Sequence, residues 1–476
     1  MTLHAMFRQQ FTGITSDSRQ VKPGVLFLAY PGTKSDGRNY IDHAIQAGAV
    51  AVAWESNGFA WNAAWQVANV AIANLKDQVG QLAAEFYGYP SRKLNMVGVT
   101  GTNGKTSVSQ WIAQALSILG QKTAVIGTIG NGFVEAQTEA VNTTPDAVLL
   151  QAMLADYLQQ GAKAVAMEVS SHGLHQGRVN GVEFEIVVLT NLSRDHLDYH
   201  ETMEDYATAK QKLFMWQGLR TAILNADDAF GQSLAATFKA QNRSYLTYGL
   251  QQGNLKAESL VLHSQGLTMR VSTPQGLAEI NAPVLGRFNA YNVLAVLATL
   301  LTLEVSLQDA VRAIESIRSV SGRMQQLGGG QQPLVVVDYA HTPDALQNVL
   351  STLREQVQGK LICVFGCGGD RDAGKRSLMG AVAEKLADVV VVTSDNPRGE
   401  DPNHIIDQVL RGMAVRPQVE MDRAQAINLA VQSAQAGDVV LIAGKGHEHY
   451  QEAAGVRLPF SDAAVAQTAL MRGQVQ

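Results

Sequence analysis

The feature that most constrains the fold of this sequence is a short apolar run, a glycine-rich turn and an amphipathic segment in immediate succession. The apolar run covers residues 94–100, and the turn that follows reads GTNGKT over residues 101–106. Behind the turn, apolar residues recur at helical spacing up to Gly120, namely Val108, Trp111, Ile112, Ala115 and Leu119. We therefore predict a strand, a loop and a helix, the unit from which parallel α/β sheets are built.

Short apolar runs alternate with turns or helix-length segments along most of the chain. They lie at residues 25–29, 49–54, 70–72, 164–169, 186–189, 222–224, 334–337, 361–365, 389–393 and 439–443. A chain of 476 residues exceeds one ordinary core, since a domain takes roughly 100 to 200 residues. We predict an α/β protein of three domains: a small N-terminal α/β domain (1–90), a central P-loop mononucleotide-binding domain (91–323) and a C-terminal Rossmann-like domain (324–476).

The composition excludes several classes of partner. The net charge of -5 offers no broad basic field for nucleic acid or an anionic membrane. No run approaches the ~20 apolar residues of a membrane span, and the N-terminus has no continuous apolar signal segment. The two cysteines, Cys363 and Cys367, lie on one strand-like run, which argues against a disulfide framework and a structural zinc site. We expect a cytoplasmic monomer that acts on small molecules.

The glycine-rich turn has the chemistry of a phosphate-binding loop. Its backbone N–H groups can point at phosphate oxygens, Lys105 can reach the β and γ phosphates, and the Thr106 hydroxyl can bind Mg²⁺. The turn departs from the strict pattern, because the position five residues before Gly104 is Val99. The alternative is a glycine-rich turn without a ligand. The strand before it and the helix after it favour phosphate binding.

Three further residues of the central segment are candidates for a metal site. Glu168 and His196 each end an apolar strand and could share one Mg²⁺, although each could instead be a hydrogen-bonded residue at a strand end. Lys210 lies on an apolar helical stripe with Met203, Tyr206, Ala207, Leu213 and Phe214. A buried, unpaired ammonium is costly, so such a lysine either finds a partner, extends its head to water or becomes neutral. A neutral amine can accept CO₂.

Polar residues also cluster after the strands of the last third. Arg371 in GDRD and Arg398 in DNPR each follow an apolar run. A guanidinium fork can hold a carboxylate through two parallel hydrogen bonds, so these arginines indicate an acidic small molecule. Surface ion pairing is the alternative for either residue taken alone.

Ten motifs in order connect these clusters to a known family. They are VTGTNGKTS, AMEVSSHGL, TNLSRDHLDYH, the lysine of DYATAK, GRFNAYN, SGRM, VDYAHTPDAL, FGCGGDRDAGKR, SDNPRGEDP and AGKGHE. Over nearly its whole length the chain resembles the Mur ligases, in particular the branch that adds meso-2,6-diaminopimelate to UDP-N-acetylmuramoyl-L-alanyl-D-glutamate in cytoplasmic peptidoglycan synthesis. The resemblance implies that ATP phosphorylates the D-glutamate side-chain carboxylate and that the incoming amine displaces phosphate.

The resemblance also implies roles for individual residues. ATP contacts are expected from Gly101, Thr102, Asn103, Gly104, Lys105, Thr106, Ser107, Asn289, Arg323 and Asp338. The catalytic residues would be Lys105, Glu168, His196 and Lys210, and the Mg²⁺ ligands Thr106, Glu168, His196 and Lys210, the last as its carbamate. UDP-muramoyl-peptide contacts would come from Ser16, Ser18, Thr33, Lys34, Ser35, Asn142, Thr143, Thr144, Ser170, Gln176 and Arg178. The diaminopimelate pocket would comprise Arg371, Asp395, Asn396, Pro397, Arg398, Gly444 and Glu448.

Two features of the sequence separate the alternatives. Arg398 favours a side chain that ends in a carboxylate and disfavours L-lysine, so a lysine-adding ligase is the alternative within the family. The DNPR and GKGHE motifs disfavour a D-alanyl-D-alanine ligase and folylpolyglutamate synthetase. From other classes, a P-loop kinase or a nucleotide-binding module without turnover would have to explain Lys105, Glu168, His196 and Lys210. Ser16 and residues 33–35 depart from the usual family pattern and leave individual UDP contacts open.

Overall fold

The computed structural model describes residues 3–7, 10–32 and 35–472. The described chain divides into two compact units, the first formed by the residues up to Leu255 with Leu294–Ala313, and the second by Lys256–Val293 with the residues from Ile314 onward. None of the helices in these described ranges is both long enough and apolar enough to cross a bilayer.

The first unit begins with a parallel sheet in the order β1-β2-β3-β4. Its strands are β1 (Gly13–Thr15), β2 (Val25–Ala29), β3 (Ala51–Glu55) and β4 (Ala68–Ile72), and its helices are α1 (Leu3–Phe7), α2 (Ile41–Gln46) and α3 (Leu75–Phe86). Every residue of β2 is buried, because Leu26 and Leu28 face one core and Phe27 and Ala29 face another. A continuous apolar run is the pattern of a strand covered on both faces.

A larger sheet of the first unit runs in the order β12-β11-β10-β5-β9-β6-β7-β8. Its strands are β5 (Asn95–Thr100), β6 (Thr123–Ile126), β7 (Asn131–Phe133), β8 (Ala136–Thr138), β9 (Ala164–Glu168), β10 (Ile186–Leu189), β11 (Thr221–Asn225) and β12 (Tyr245–Gly249). The strands from β12 to β6 pair in parallel, and β7 and β8 add antiparallel pairs. Val99 pairs with Glu168 on one side and with Val188 on the other, so the carboxyl ends of β5, β9 and β10 lie together.

Helices cover this sheet and attach it to the first one. They are α4 (Lys105–Ile118), α5 (Ala147–Gln159), α6 (Ser171–His175), α7 (Leu197–His200), α8 (Met203–Phe214) and α9 (Ala229–Ala240). Asn180 Nδ2 donates to the carbonyl of Asp77 in α3 at 3.1 Å. Val148 of α5 lies in the same core as Leu26 and Leu75, so the N-terminal sheet completes its core with a residue of the larger sheet's helix.

The second unit contains an antiparallel meander and a mostly parallel sheet in the order β16-β17-β21-β18-β19-β20. Its strands are β13 (Leu255–His263), β14 (Gly266–Thr273), β15 (Gly276–Ala282), β16 (Gln325–Gly328), β17 (Leu334–Asp338), β18 (Leu361–Phe365), β19 (Val389–Val392), β20 (Gln418–Val419), β21 (Val439–Ala443), β22 (Tyr450–Ala453) and β23 (Val456–Pro459). Its helices are α12 (Pro343–Arg354), α13 (Gly374–Leu386), α14 (Pro402–Leu410), α15 (Arg423–Ser433) and α16 (Asp462–Arg472), while the unit boundaries fall within α10 (Arg287–Thr302) and α11 (Leu307–Glu315).

The central strands of the second unit are buried on both faces. Val336, Cys363 and Leu441 belong to one core, whereas Val335 and Val440 belong to the other. This is the doubly covered sheet that the apolar runs of the last third predict, and both cysteines are buried and free. The predicted boundaries at residues 90 and 323 stay predictions.

Candidate active site

The glycine-rich turn lies between β5 and α4, as predicted, and its backbone requires glycine at two points. Gly101 has a φ of 149° and Gly104 a φ of 84°, values that side chains disfavour. A Cβ at Gly101 would lie 1.9 Å from Thr190 Oγ1. The helix α4 begins at Lys105, directly after the turn, and the N-terminus of a helix is a favourable position for an anion.

Residues that follow β10 hold the turn in shape. The backbone N–H of Thr102 donates to the carbonyl of Asn191 at 2.9 Å, and the N–H of Asn103 donates to Asn191 Oδ1 at 3.0 Å. Thr190 Oγ1 donates to the carbonyl of Asn103 at 2.6 Å. These hydrogen bonds fix the backbone of the turn against the residues that follow β10.

Two lysine amines meet at one carbonyl oxygen of the turn. Lys105 Nζ donates to the carbonyls of Gly101 and Thr102, both at 2.8 Å. Lys210 Nζ donates to the same Gly101 carbonyl at 2.9 Å and lies 4.5 Å from the centre of the Tyr206 ring. Lys210 is 1% exposed, which confirms that its helical stripe faces inward.

The surroundings of Lys210 favour the neutral amine. Burial lowers the pKa of Lys210 well below its usual value, the positive charge of Lys105 lowers it further, and the carboxylate of Asp195 opposes both effects. The alternative of a lysine that extends its head to water is wrong for this residue. A neutral amine is the form that reacts with CO₂.

Glu168 lies buried at the end of β9 beside the turn. Its Oε2 accepts from Thr106 Oγ1 at 2.9 Å and from Thr128 Oγ1 at 3.1 Å, and its Oε1 accepts from the N–H of Thr128 at 2.7 Å. The structure therefore brings Thr106 and Glu168 together, as predicted for two ligands of one cation. Thr128 is a third member that we did not predict, although it follows β6 as the other polar site residues follow their strands.

His196 precedes α7 in a left-handed conformation, with a φ of 55°. Its side chain is 42% exposed, and its Nε2 lies 3.4 Å from Asp195 Oδ2. Burial lowers the pKa of His196, Asp195 raises it, and Lys105 and Lys210 lower it. The neutral imidazole that results is the form able to bind a metal.

The polar groups beside the turn fit Mg²⁺ that also binds water and phosphate, rather than a metal ion whose ligands all come from the protein. Within the described residues, no group of three or more His, Cys, Asp or Glu side chains is close enough to hold an ion. Thr106 and Glu168 nevertheless supply a hydroxyl and a carboxylate at 2.9 Å from each other. Mg²⁺ is commonly bound by one or two carboxylates together with water and substrate phosphates.

The residues predicted to contact the muramoyl peptide form one network next to Glu168. Thr144 Oγ1 donates to the carbonyl of Glu168 at 2.9 Å and accepts from the N–H of Ser170 at 3.0 Å. Arg178 donates to the carbonyl of Thr144 at 2.9 Å and, through Nε and Nη2, to Gln176 Oε1 at 3.0 and 2.7 Å.

The remaining residues predicted to bind the UDP-muramoyl peptide are more scattered. Thr143 Oγ1 lies 3.0 Å from Thr128 Oγ1, and Asn142 is exposed. Ser16 shares a hydrogen bond with Tyr30, and Ser18 begins a short 3-10 helix. Ser35 is exposed, whereas Thr33 and Lys34 lie outside the described residues.

In the second unit, Arg323 and Asp338 lie together at the end of β17. Asp338 accepts from the N–H groups of Met324 at 2.8 Å and Ala340 at 2.9 Å. Burial raises the pKa of Asp338, and the charge of Arg323 counteracts this. The Arg323 guanidinium lies 5.0 Å from the Tyr339 ring centre, and its buried Nε has no hydrogen-bond partner among the described residues.

Asn289, also predicted to contact the nucleotide, is buried in α10. Its Nδ2 donates to the carbonyl of Leu285 at 2.7 Å, and its Oδ1 accepts from Asn292 at 2.8 Å. These contacts fix the orientation of the amide. They do not join it to Arg323 or Asp338.

The loops after β19 and β21 meet at a polar cluster. Asn396 Nδ2 donates to Glu448 Oε2 at 2.8 Å, and Asn396 Oδ1 accepts from Lys445 Nζ at 2.8 Å. Asp395 is buried beside Gly444, where an added Cβ would lie 2.6 Å from Asp395 Oδ2. The structure thus brings together most of the residues predicted to hold the amino acid, including the buried Pro397 between Asn396 and Arg398.

Arg398 connects this cluster to the loop after β18. Its Nη1 donates to the carbonyl of Gly369 at 2.8 Å, and its backbone N–H donates to the carbonyl of Glu452 at 3.0 Å. Arg371 lies on the same β18 loop and is exposed. Both of these Arg398 hydrogen bonds go to backbone carbonyls rather than to a carboxylate.

Two buried arginines, neither of which was predicted from the sequence, support these loops. Arg376 pairs with Glu400 at 2.8 Å and donates to the carbonyl of Gly368 at 3.0 Å. The side-chain hydrogen bond from Arg376 is the main reason that the pKa of Glu400 is lowered to about 2. Arg423 pairs with Asp462 at 2.7 Å and donates to the carbonyls that end β21 and follow β19. The signal available in sequence was weak, because both arginines lie on helices.

Three family models match the chain in succession. They are "Mur ligase family, catalytic domain" at residues 10–87, "Mur ligase middle domain" at 99–300 and "Mur ligase, glutamate ligase domain" at 322–446. The chain belongs to the Mur ligase family. The Mur ligase architecture of N-terminal, central and C-terminal α/β domains confirms the predicted fold class.

Individual Mur ligases show how close the likeness is. The chain is 57% identical to UDP-N-acetylmuramoyl-L-alanyl-D-glutamate--2,6-diaminopimelate ligase of Chromobacterium violaceum, covering 96% of this chain and 94% of that protein. It is 49% identical to the protein of the same name from Pseudomonas aeruginosa, covering 100% and 99%. A solved structure of a ligase with this name is 40% identical, with a TM-score of 0.75 and coverage of 98% and 96%. MurF from Acinetobacter baumannii, at 21% identity, a TM-score of 0.64 and coverage of 91% and 90%, shares the fold.

Proposed function

We propose that this Mur ligase joins meso-2,6-diaminopimelate to the D-glutamate side-chain carboxylate of UDP-N-acetylmuramoyl-L-alanyl-D-glutamate, at the expense of ATP. The observation that carries the proposal is the 57% identity, over 96% of the chain, to a protein named for this reaction. The hydrogen bond of Lys105 to the turn, the Thr106–Glu168 hydrogen bond and the contacts of Asn396 and Arg398 with their neighbours agree with it.

The chemistry requires a phosphoryl transfer followed by amide formation. The D-glutamate carboxylate takes the γ-phosphoryl group of ATP and leaves ADP. The diaminopimelate amine then attacks the acyl carbon, loses a proton, forms the amide and expels phosphate. In this scheme the N–H groups at the start of α4 and the Lys105 ammonium hold the phosphates and balance the charge that develops on them.

Thr106, Glu168 and His196 would hold Mg²⁺, together with Lys210 in a modified form. The metal would neutralise phosphate charge during transfer. The neutral Lys210 amine would combine with CO₂ and lose a proton to give a carbamate. This converts a residue that would repel a cation into one that supplies an anionic oxygen.

Residues farther along the chain would supply further nucleotide contacts and the amino-acid contacts. Arg323 and Asp338 would take phosphate and ribose, and Asn289 would take adenine. Arg398 would hold the distal carboxylate of diaminopimelate, and Glu448 with Asn396 would hold the ammonium beside it. We further propose domain boundaries at residues 90 and 323, a cytoplasmic location and a monomeric state.

A phosphate-release assay tests the proposed reaction. We expect release from ATP only when UDP-muramoyl dipeptide and diaminopimelate are both present, with the tripeptide product identified by mass spectrometry. Turnover with L-lysine at an equal rate would contradict the amino-acid specificity. A stable phosphorylated product without amide would indicate a kinase instead, and the absence of phosphate release would indicate a binding module.

A further inference from the structure

Lys445 is a fully buried lysine in the polar cluster that contains Asn396 and Glu448. It follows β21, and its side chain is 0% exposed. Its ammonium donates to Asn396 Oδ1 at 2.8 Å and to Glu448 Oε2 at 3.1 Å, and lies 5.5 Å from the centre of the Tyr450 ring. An ammonium removed from water needs such partners, so the cluster is built around this charge.

The contacts of Lys445 decide which way two neighbouring side chains point. Asn396 Oδ1 accepts from both Lys445 and the N–H of Glu452, the latter at 2.9 Å. The opposite end of the amide, Nδ2, must then face Glu448. Both donors to Glu448, Lys445 Nζ and Asn396 Nδ2, bind Oε2. Within the described part of the chain, Oε1 is therefore the oxygen of Glu448 left for a ligand amine.

We propose that Lys445 is a positioning residue that sets the amino-acid specificity of this site. It aims Glu448 Oε1 and balances one negative charge, so that the site favours a side chain ending in an ammonium and a carboxylate over one ending in an ammonium alone. The inference rests on the proposed function, because it takes Asn396, Arg398 and Glu448 as the residues that contact diaminopimelate.

The charge of the cluster explains the direction of the effect. With Lys445 present, Glu448 is paired, and the guanidinium of Arg398 can attract a carboxylate. Without the ammonium, the cluster becomes one unit more negative next to Glu448. That change penalises a ligand carboxylate and benefits a ligand that carries only an ammonium.

The test compares wild-type enzyme, Lys445→Met and the exposed control Lys385→Met. Methionine keeps most of the lysine stem and removes the charge. We expect Lys445→Met to raise the KM for meso-diaminopimelate roughly tenfold, which corresponds to about 1.4 kcal/mol, and to leave the KM values for ATP and the UDP-muramoyl dipeptide within about twofold. The ratio of kcat/KM for diaminopimelate to that for L-lysine should fall roughly tenfold. Lys385→Met should match the wild type.

Other outcomes would contradict the proposed role of Lys445. An equal loss with both amino acids would show a structural role and overturn the inference, as would an unchanged KM for diaminopimelate. If the wild-type enzyme itself made no tripeptide, the proposed function would fail together with the inference. Were Lys445→Met not to fold, Lys445→Met/Glu448→Gln would be compared with Glu448→Gln alone. We expect the KM for diaminopimelate to differ by less than about threefold between these two variants. A tenfold difference would show that Lys445 acts independently of Glu448.

Discussion

At the scale of single residues, Lys105 and Lys210 both donate to the Gly101 carbonyl, which brings two amines together. Two ammonium groups so close repel each other, and burial adds to the cost for Lys210. The arrangement is stable when one amine is neutral. Burial is the first cause that lowers the pKa of Lys210, so Lys210 is the residue expected to lose its proton.

Replacement of Lys210 tests its proposed role as a source of an anionic ligand. We expect Lys210→Ala to lower kcat by roughly a hundredfold or more, on the order of 3 kcal/mol of lost stabilisation of the reacting phosphate. Added acetate or propionate should restore part of the activity by filling the space with a carboxylate. The exposed Lys212→Ala, on the same helix, should show neither effect. Full activity in Lys210→Ala would rule out the metal role.

At the scale of elements, glycine at position 101 allows β5, the turn and β10 to approach each other. We expect Gly101→Ala to destabilise the fold by about 2–5 kcal/mol, since left-handed strain costs about 1–2 and overpacking about 1–3 kcal/mol. Gly120→Ala is a matched control, because Gly120 also has a positive φ, 80°, but has open space around its Cβ. Urea unfolding measures the stability of Gly101→Ala and Gly120→Ala, and ATP-binding measurements show whether the turn is affected. Equal losses would mean that the contact with Thr190 is unimportant.

The elements that could be predicted from sequence are those buried on both faces. The apolar runs at 186–189, 361–365 and 439–443 match β10, β18 and β21 residue for residue, because such strands need continuous apolar sequence. The meander of β13, β14 and β15 was not predicted. In Leu255–His263 only Leu255 and Ala257 are buried, and the exposed and half-buried positions of these strands dilute the hydrophobic signal.

The site was predictable only where strand ends carry distinctive residues. Thr106, Glu168 and Lys210 could be inferred from the turn, the strand and the helical stripe. Thr128 and Arg376 could not, because a threonine in a loop and an arginine on a helix have many ordinary explanations. Their importance appears only in the contacts with Glu168 and Glu400.

At the scale of the whole molecule, the half-buried His447 makes stability dependent on pH. Burial, followed by the charges of Arg323 and His449, lowers the pKa of His447 to about 4 from an ordinary value near 6.5. Between these two values the unfolded chain binds more protons than the folded one. The contribution of His447 is therefore complete above about pH 6.5 and is lost as the pH falls toward 4.

The predicted acid sensitivity can be measured by urea unfolding at pH 7.5 and pH 4.5. We expect His447→Gln to lose less stability than the wild type over this range, by up to about 3 kcal/mol, since one pKa unit corresponds to about 1.4 kcal/mol. The exposed His43→Gln should follow the wild type. Parallel pH curves for wild type and His447→Gln would contradict the shifted pKa.

The N-terminal sheet depends on a residue far from it in sequence. Val148 of α5 completes its core, and Asn180 binds α3 where Gly80 permits close approach. A fragment cut at residue 90 would carry an open apolar face. Gene fusion or recombination that moved this segment without α5 would therefore leave its core incomplete.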